Sequence, residues 1–259
     1  MALQIKFLTR IPVWEIVFFR ALITFILCAA TIKLKDINPW GNNRRFLFLR
    51  GLFGTIAMCG VFTTFAHMPL AMASTLTKLA PLFAALVSSV FLGEKIGWKG
   101  WACYVLAFSG VLVTKGYEPN IPTKYFLIGI GAAFFASLAY NCIAKLKESE
   151  DPQVIMFYFP LVTLPLIAVP TYFHWVKPNP REMMLLLGVG CTVQIAQYFM
   201  TLSYQSGKPA KVSIVTYTGL LLACLYDVTI FHETPSPGSL LGMLLIVIGV
   251  GLSLLRKKD

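Results

Sequence analysis

Long apolar runs, separated by short polar or charged stretches, recur along the whole chain. The complete runs cover residues 13–32, 46–66, 70–92, 98–114, 125–144, 154–173, 183–204, 212–231 and 240–255. A bilayer core about 30 Å thick needs roughly 20 apolar residues in a helix that rises about 1.5 Å per residue. The pattern therefore predicts an all-α integral membrane protein with nine complete transmembrane helices.

The composition agrees with this prediction. Hydrophobic residues make up 57% of the chain and charged residues only 13%, whereas a soluble domain of this size must turn part of its surface to water. A net charge of +11 is also typical of nucleic-acid-binding proteins. Here the basic residues lie in the gaps between apolar runs, where membrane topology accounts for them.

The basic residues also predict an orientation. If the runs alternate in direction, most lysines and arginines outside them share one side, in residues 33–50, 95–99, 145–147, 208–211 and 256–258. Cytoplasmic loops of membrane proteins carry an excess of lysine and arginine. This side, which includes the C-terminus, is therefore predicted to be cytoplasmic.

The two halves of the chain resemble each other. When the second half is laid on the first without gaps, identical residues coincide at Ala71 and Ala210, Ser74 and Ser213, Thr77 and Thr216, Ala84 and Ala223, Glu94 and Glu233, and Gly110 and Gly249. A shift by one further position also places Pro12 on Pro152. Because each half would hold five helices, an odd number, the second copy would enter the membrane from the opposite face. The sequence predicts two inverted five-helix repeats, residues 1–116 and 117–259.

The first helix of this arrangement is short. Residues 1–9 are apolar but cannot span a bilayer, whereas the corresponding residues 124–147 can. A full span needs about 15–20 further residues before Met1. We expect that the sequence starts inside a truncated first helix, which an in-frame apolar stretch upstream of the start codon would verify.

Two motifs resemble a known family. Residues 71–81 (AMASTLTKLAP), followed by FLGE at 91–94, are similar to the signature of the EamA-type transporters of the drug/metabolite transporter superfamily, as is FFR at 18–20. In the second half, histidine and glutamate at 232–233 replace the Gly-Glu of the motif, and Leu220 replaces its proline. The resemblance implies a ten-helix fold around a central cavity in the inner or plasma membrane. It also implies transport, often export, of amino acids or small metabolites.

Lys78 is the first candidate for contact with a substrate. It lies about 12 Å along its predicted helix, and a charge near mid-membrane costs on the order of 2.5–3.5 kcal/mol unless it faces protein or a wet cavity. Pro81 lacks an amide donor and displaces the carbonyl of Thr77, so it predicts a kink beside Lys78. Lys78 either binds a carboxylate or phosphate of the substrate, or snorkels outward or pairs with a neighbouring acid.

Arg20, Glu15 and Asp227 are further candidates among the charged residues within predicted spans. Arg20 and Glu15 either form a structural pair near the outer side, or Arg20 lines the outer vestibule. Asp227 lies four residues from the end of its predicted helix. It is either an interfacial aspartate or a proton-carrying acid that is coupled to Lys78.

Neutral polar residues inside the spans complete the candidate binding site: Asn141, Gln194, Gln197, Tyr198 and Tyr217. Their ordinary role is hydrogen bonding between helices, worth about 0.6 kcal/mol each. Thr216 and Tyr217 take the repeat positions of Thr77 and Lys78, which favours a place for all four in the cavity.

No residue pattern indicates an enzyme. The six cysteines fall one per apolar run without a CxxC pair, and the three histidines are solitary, so neither a metal nor another cofactor is expected. No Walker sequence is present, which favours a secondary carrier over an ATP-driven one. The alternatives are a channel and a non-transporting accessory subunit. The GxxxG step at Gly238 and Gly242 predicts close helix packing, within the chain or in a homodimer.

Overall fold

The fold is helical throughout the ranges that the structure, a computed structural model, describes: residues 1–92, 98–117, 120–205, 218–232 and 235–255. The helices are α1 (Ala2–Phe7), α2 (Val13–Leu34), α3 (Arg44–His67), α4 (Leu70–Thr77), α5 (Ala80–Leu92), α6 (Trp98–Tyr117), α7 (Thr123–Lys145), α8 (Pro152–Phe173), α9 (Pro180–Gln205), α10 (Thr218–Thr229) and α11 (Pro237–Leu255). The predicted all-α architecture is confirmed.

Five helices in the described ranges are long and apolar enough to cross a membrane: α2, α3, α7, α8 and α9. Shorter apolar segments are Gly219–Thr229, Pro237–Leu252 and Leu70–Ala84, the last of which contains α4 and the start of α5. Many large apolar side chains point outward, among them Leu112 and Leu221. A surface of this kind suits lipid, because lipid tails solvate apolar side chains as well as a protein core does.

The predicted span 70–92 is divided into two helices. α4 ends one residue before Lys78, whose amide donates to the carbonyl of Thr75 at 3.0 Å. α5 begins two residues after Lys78 and has Pro81 in its first turn, where a proline loses no intrahelical hydrogen bond. The helix therefore breaks beside Lys78, on the N-terminal side of Pro81.

The helices of the first half pack mainly against those of the second. α2 contacts α8 and α9, α3 contacts α7 and α8, α4 contacts α10, and α6 contacts α11. A single cluster of buried apolar residues, including Val17, Phe62, Leu76 and Ile246, runs through most of these contacts. The interior is thus shared by both halves of the chain.

Glycines bring α6 and α11 into backbone contact. A Cβ atom added to Gly242 would lie 2.6 Å from the amide nitrogen of Thr114, and one added to Gly110 would lie 2.6 Å from the carbonyl oxygen of Gly242. Gly238 lies against the ring of Tyr117. The GxxxG step therefore packs within the chain, and a homodimer stays a prediction.

The basic-residue pattern assigns Arg50 to a cytoplasmic loop, and this assignment is wrong. Arg50 lies in the second turn of α3 and is only 3% exposed. The other basic residues of that side still outnumber those opposite, so the predicted orientation does not depend on Arg50.

Candidate functional site

A cavity of about 260 Å³ lies between helices of both halves. Its wall is mostly alanine, valine, methionine and phenylalanine, and its polar lining residues are Arg20, Arg50, Thr77, Tyr140 and Gln197. One face of each helix supplies the wall. On α9, for example, Val193, Gln197 and Met200 recur at the spacing that keeps side chains on one side of a helix.

Two arginines share one aromatic ring in this cavity. Arg20 is 1% and Arg50 3% exposed. The Cζ atoms of Arg20 and Arg50 lie 4.4 and 5.1 Å from the centroid of the Phe159 ring. A ring face attracts a cation by about 0.5–2 kcal/mol, which offsets only part of the cost of burying two charges.

The guanidinium groups of both arginines keep unused hydrogen-bond donors. Arg20 Nη1 contacts the sulfur of Met58, and Arg50 Nη2 donates to Gln197 Oε1 at 3.5 Å. The Nε atoms of Arg20 and Arg50 have no hydrogen-bond partner among the described residues. The ion pairs in the described ranges involve neither arginine. The cavity thus presents two buried cations against which no carboxylate lies among the residues that the structure describes.

The sequence around Arg50 makes room for its side chain. Gly54 follows one turn later on α3, and a Cβ atom there would collide with Arg50 Nη1 and lie 3.0 Å from the Phe159 ring. Gly51 likewise lets α3 approach Val162 of α8, where a Cβ atom would meet its Cβ at 2.9 Å. These glycines permit α3 to carry a buried arginine at close distance to α8.

Some predicted site residues reach this cavity. Arg20, Thr77 and Gln197 line it. Lys78 is half-buried at the turn that follows α4, next to Thr77 but outside the lining set. Thr216 and Tyr217 lie outside the described residues.

The remaining polar candidates bond within or between helices. Asn141 Nδ2 donates to the carbonyl of Ser137 at 3.1 Å. Gln194 Nε2 donates to the sulfur of Cys28 at 3.2 Å. The ring of Tyr198 packs on that of its neighbour Phe199. Asn141, Gln194 and Tyr198 are not among the residues that line the cavity. These contacts match the ordinary role of polar residues between membrane helices.

Glu15 is fully buried but does not form an ion pair with Arg20 in the described part of the chain. Its Oε2 atom accepts a hydrogen bond from the amide of Val176 at 3.0 Å. This bond joins the first turn of α2 to the segment between α8 and α9. Arg20 instead lines the cavity, and its place in an outer vestibule stays a prediction.

Asp227 caps a helix of the other half. Its two carboxylate oxygens accept from the amides of Leu70 and Ala71 at 2.9 and 2.7 Å, and Lys6 Nζ lies 3.6 Å away. These amides open α4, where donors lack an intrahelical partner and a negative charge is favourable. Asp227 and Lys78 lie at opposite ends of α4, about 12 Å apart along its axis.

Just before the N-terminal end of α2, Arg10 joins the two halves. Arg10 Nε and Nη2 donate to the two carboxylate oxygens of Glu182 at 3.0 and 2.6 Å, and Nη2 also donates to the carbonyl of Lys177. These hydrogen bonds to Glu182 raise the pKa of the Arg10 guanidinium. Asn179 and Glu182 bond each other's amides at 2.8 Å, a capping box that fixes the start of α9.

Beyond the opposite end of α2, Glu150 joins the same two halves. Its Oε1 atom accepts from the amides of Asn42 and Asn43, just before α3. Gly41 precedes them with φ +58°, and a Cβ atom there would lie 2.6 Å from Glu150 Oε2. Tyr158 adds a hydrogen bond to the carbonyl of Trp40 at 2.8 Å. We call Arg10–Glu182 and Glu150–Asn42 the two end contacts.

Arg50, Tyr140 and Phe159 line the cavity but are absent from the sequence-based site. The signal for Arg50 was present, because it falls inside the apolar run 46–66 and an arginine there must face protein or water. Phe159 is one of twenty phenylalanines, and nothing local distinguishes it.

Comparison with known proteins gives consistent matches. The model of the EamA-like transporter family matches residues 1–115 and 123–255. The pseudopaline exporter CntI of Pseudomonas aeruginosa is 29% identical over 251 residues, which cover 95% of this chain and 88% of the exporter. The S-adenosylmethionine uptake transporter of Rickettsia conorii is 23% identical, with 92% and 82% covered.

Two further matches are a mammalian carrier and a solved structure. Solute carrier family 35 member G1 of Mus musculus is 25% identical, over 99% of this chain and 74% of the carrier. A solved crystal structure superposes with a TM-score of 0.66 at 19% identity and covers 94% of this chain and 87% of its own. The likeness to that structure shows a common fold.

Proposed function

The chain belongs to the EamA-like transporter family, and we propose that it carries a small metabolite across the plasma membrane by alternating access of the cavity around Arg20 and Arg50. Its place among multi-pass membrane transporters of small metabolites rests on the family and on its relatives. The mechanism and the site are our proposal.

The direction and cargo are not common to the relatives. One is named for export of pseudopaline and another for uptake of S-adenosylmethionine. For this chain we propose export or exchange of a cargo of about amino-acid size, because the cavity of about 260 Å³ is smaller than the roughly 300–1,000 Å³ typical of sites for drug-sized ligands.

A single observation carries the proposal: two buried arginines without a protein counter-charge in the described ranges line a cavity built from both halves. Secondary transporters place their substrate sites at the interface of structural repeats, near the middle of the bilayer. Ionisable groups inside membrane proteins mark substrate pathways because they are costly to keep there.

Helix contacts support two inverted repeats, residues 1–116 and 117–259. When the halves are exchanged, the contact of α3 with α8 becomes that of α2 with α9, and the contact of α3 with α7 becomes that of α1 with α9. All four contacts are present. α2 meets its counterpart α8, and α6 meets its counterpart α11.

The two end contacts also support this arrangement. The alignment of the halves that places Pro12 on Pro152 also places Arg10 on Glu150 and Asn42 on Glu182. The same two segments of the repeat thus meet at opposite ends of α2, with different chemistry. We propose that the end contacts are the two gates, and that the Glu150 gate is cytoplasmic, like the C-terminus.

The gates differ in strength. Arg10 is about half exposed, and water and salt weaken an exposed ion pair. Glu150 is buried and accepts hydrogen bonds from two amides, each worth about 1.5–3 kcal/mol when one partner is charged. The Arg10 gate therefore opens more readily, and the resting chain favours access from that side.

Thiol modification from each face of the membrane tests this proposal. With the six native cysteines replaced, Ala136→Cys puts a thiol in the cavity wall, and Ile195→Cys puts one on an exposed helix surface as the control. We expect a charged, impermeant thiosulfonate to modify residue 136 from both faces, faster from the Arg10 side, and to spare residue 195.

Glu150→Gln then separates a carrier from a channel. The variant weakens only the Glu150 gate, so modification of residue 136 should quicken several-fold from the cytoplasmic face and slow from the other. Faster modification of residue 136 from both faces would indicate a channel. Reactivity from a single face in every variant would indicate a non-transporting subunit and would contradict alternating access.

A further inference from the structure

We propose that the cargo carries two separate acidic groups and is a short dicarboxylate, with one carboxylate on Arg20 and the other on Arg50. This inference rests on the proposed function, because the bound ligand is a cargo only if the chain transports it. The binding itself can be measured without transport. It concerns the charge balance of the cavity.

The cavity contains a formal excess of two positive charges from these arginines. No aspartate or glutamate is among its lining residues in the described ranges. The nearest acid on α2, Glu15, already accepts from the amide of Val176. An uncompensated buried charge is unfavourable, and a ligand with one negative charge leaves half of the imbalance in place. A ligand with two negative charges removes it.

The Nε donors of the arginines, which lack a partner among the described residues, favour one acidic group on each arginine over one doubly charged group. Both Cζ atoms lie against Phe159, at 4.4 and 5.1 Å from its centroid, so one small ligand can reach both. The ring occupies part of the space around each guanidinium. Each Nε atom is free of a hydrogen-bond partner in the described part of the chain, and guanidinium donors match a carboxylate in a paired geometry.

The rest of the wall indicates what joins the two groups. Apart from its few polar members, the lining is apolar, with Ala57, Met58 and Ala136 among its members. Such a wall suits a short methylene chain. An ammonium group on the ligand would meet two like charges and is disfavoured, so a dicarboxylic acid should bind better than an acidic amino acid of the same length.

A ligand panel on the purified full-length chain tests this proposal. Binding is measured by calorimetry and by the shift in thermal unfolding, at constant ionic strength, with succinate, glutarate, butyrate, glutamate, methyl phosphate and 1,5-diaminopentane. We expect succinate or glutarate to bind at least tenfold more tightly than butyrate, with glutamate in between. We expect the diamine to give no shift.

Arg50→Gln supplies the matched test of the second contact, with Arg45→Gln, an exposed arginine on the same helix, as the control. The Arg50 variant should bind glutarate no more tightly than butyrate, and the Arg45 variant should behave as the unmodified chain. The panel on the unmodified chain decides the question even if the Arg50 variant does not fold.

Three results would overturn the inference: butyrate within threefold of both dicarboxylates, methyl phosphate tighter than either of them, or stabilisation by the diamine. Each leaves alternating access untouched, because thiol modification of residue 136 does not depend on the cargo. Conversely, modification of residue 136 from one face only, together with tight glutarate binding, would contradict alternating access and support the dicarboxylate site.

Discussion

Arg50→Met should make the chain more stable and abolish its transport. Arg50 is 3% exposed, its one hydrogen bond to Gln197 is 3.5 Å long, and its Nε is unpartnered among the described residues. Replacing a buried charge by an apolar side chain of similar volume is often stabilising by about 1–4 kcal/mol. Thermal unfolding in detergent and uptake of labelled glutarate into proteoliposomes measure the two effects.

A gain in stability together with a loss of transport would identify Arg50 as a functional residue. Removal of a group that holds the fold together lowers stability. Removal of a group that is kept for binding lowers activity and raises stability. Arg45→Met on the exposed side of the same helix should change stability by no more than about 0.5 kcal/mol and should transport normally. A loss of stability in Arg50→Met would show that the arginine is structural.

Asp227→Asn should destabilise the chain by about 2–4 kcal/mol. Asp227 is fully buried and accepts hydrogen bonds from the amides of Leu70 and Ala71. An asparagine has one acceptor oxygen, so one of these amides would face an NH₂ group and lose its partner, at about 1–3 kcal/mol. The charge that offsets Lys6 at 3.6 Å would also be lost.

The fall in thermal unfolding temperature of Asp227→Asn measures this effect. Asp36→Asn is the control, because Asp36 is exposed between α2 and α3 with φ +51°, a conformation that asparagine tolerates well. Equal stability of both variants would mean that the Asp227 cap contributes nothing, and would reopen the role of Asp227 as a proton carrier.

The sequence is informative where one local property decides the structure. Hydropathy predicts the spans because a helix must satisfy its backbone within the bilayer. Pro81 predicts the break beside Lys78 because a proline cannot continue the hydrogen-bond ladder. Arg20 and Thr77, singled out as polar residues in apolar runs, do line the cavity.

The sequence is less informative about which face of a helix meets the cavity. Spans such as α3 are apolar on the side toward lipid and also on the side toward protein, so periodicity does not separate the two. The hydrogen-bond partners of Asp227 and Glu15 lie in the opposite half of the chain from each acid. Only the packing of the two halves shows that both acids accept hydrogen bonds from backbone amides.

The central claim is that this chain carries cargo bound between Arg20 and Arg50, and counterflow in proteoliposomes tests it most directly. Vesicles loaded with unlabelled succinate or glutarate are diluted into a trace of the same labelled acid. We expect the label to accumulate transiently above its final level in the unmodified chain and in Arg45→Met, but not in Arg50→Met. Entry of label without this overshoot for both acids, or an equal overshoot in Arg50→Met, would contradict the claim.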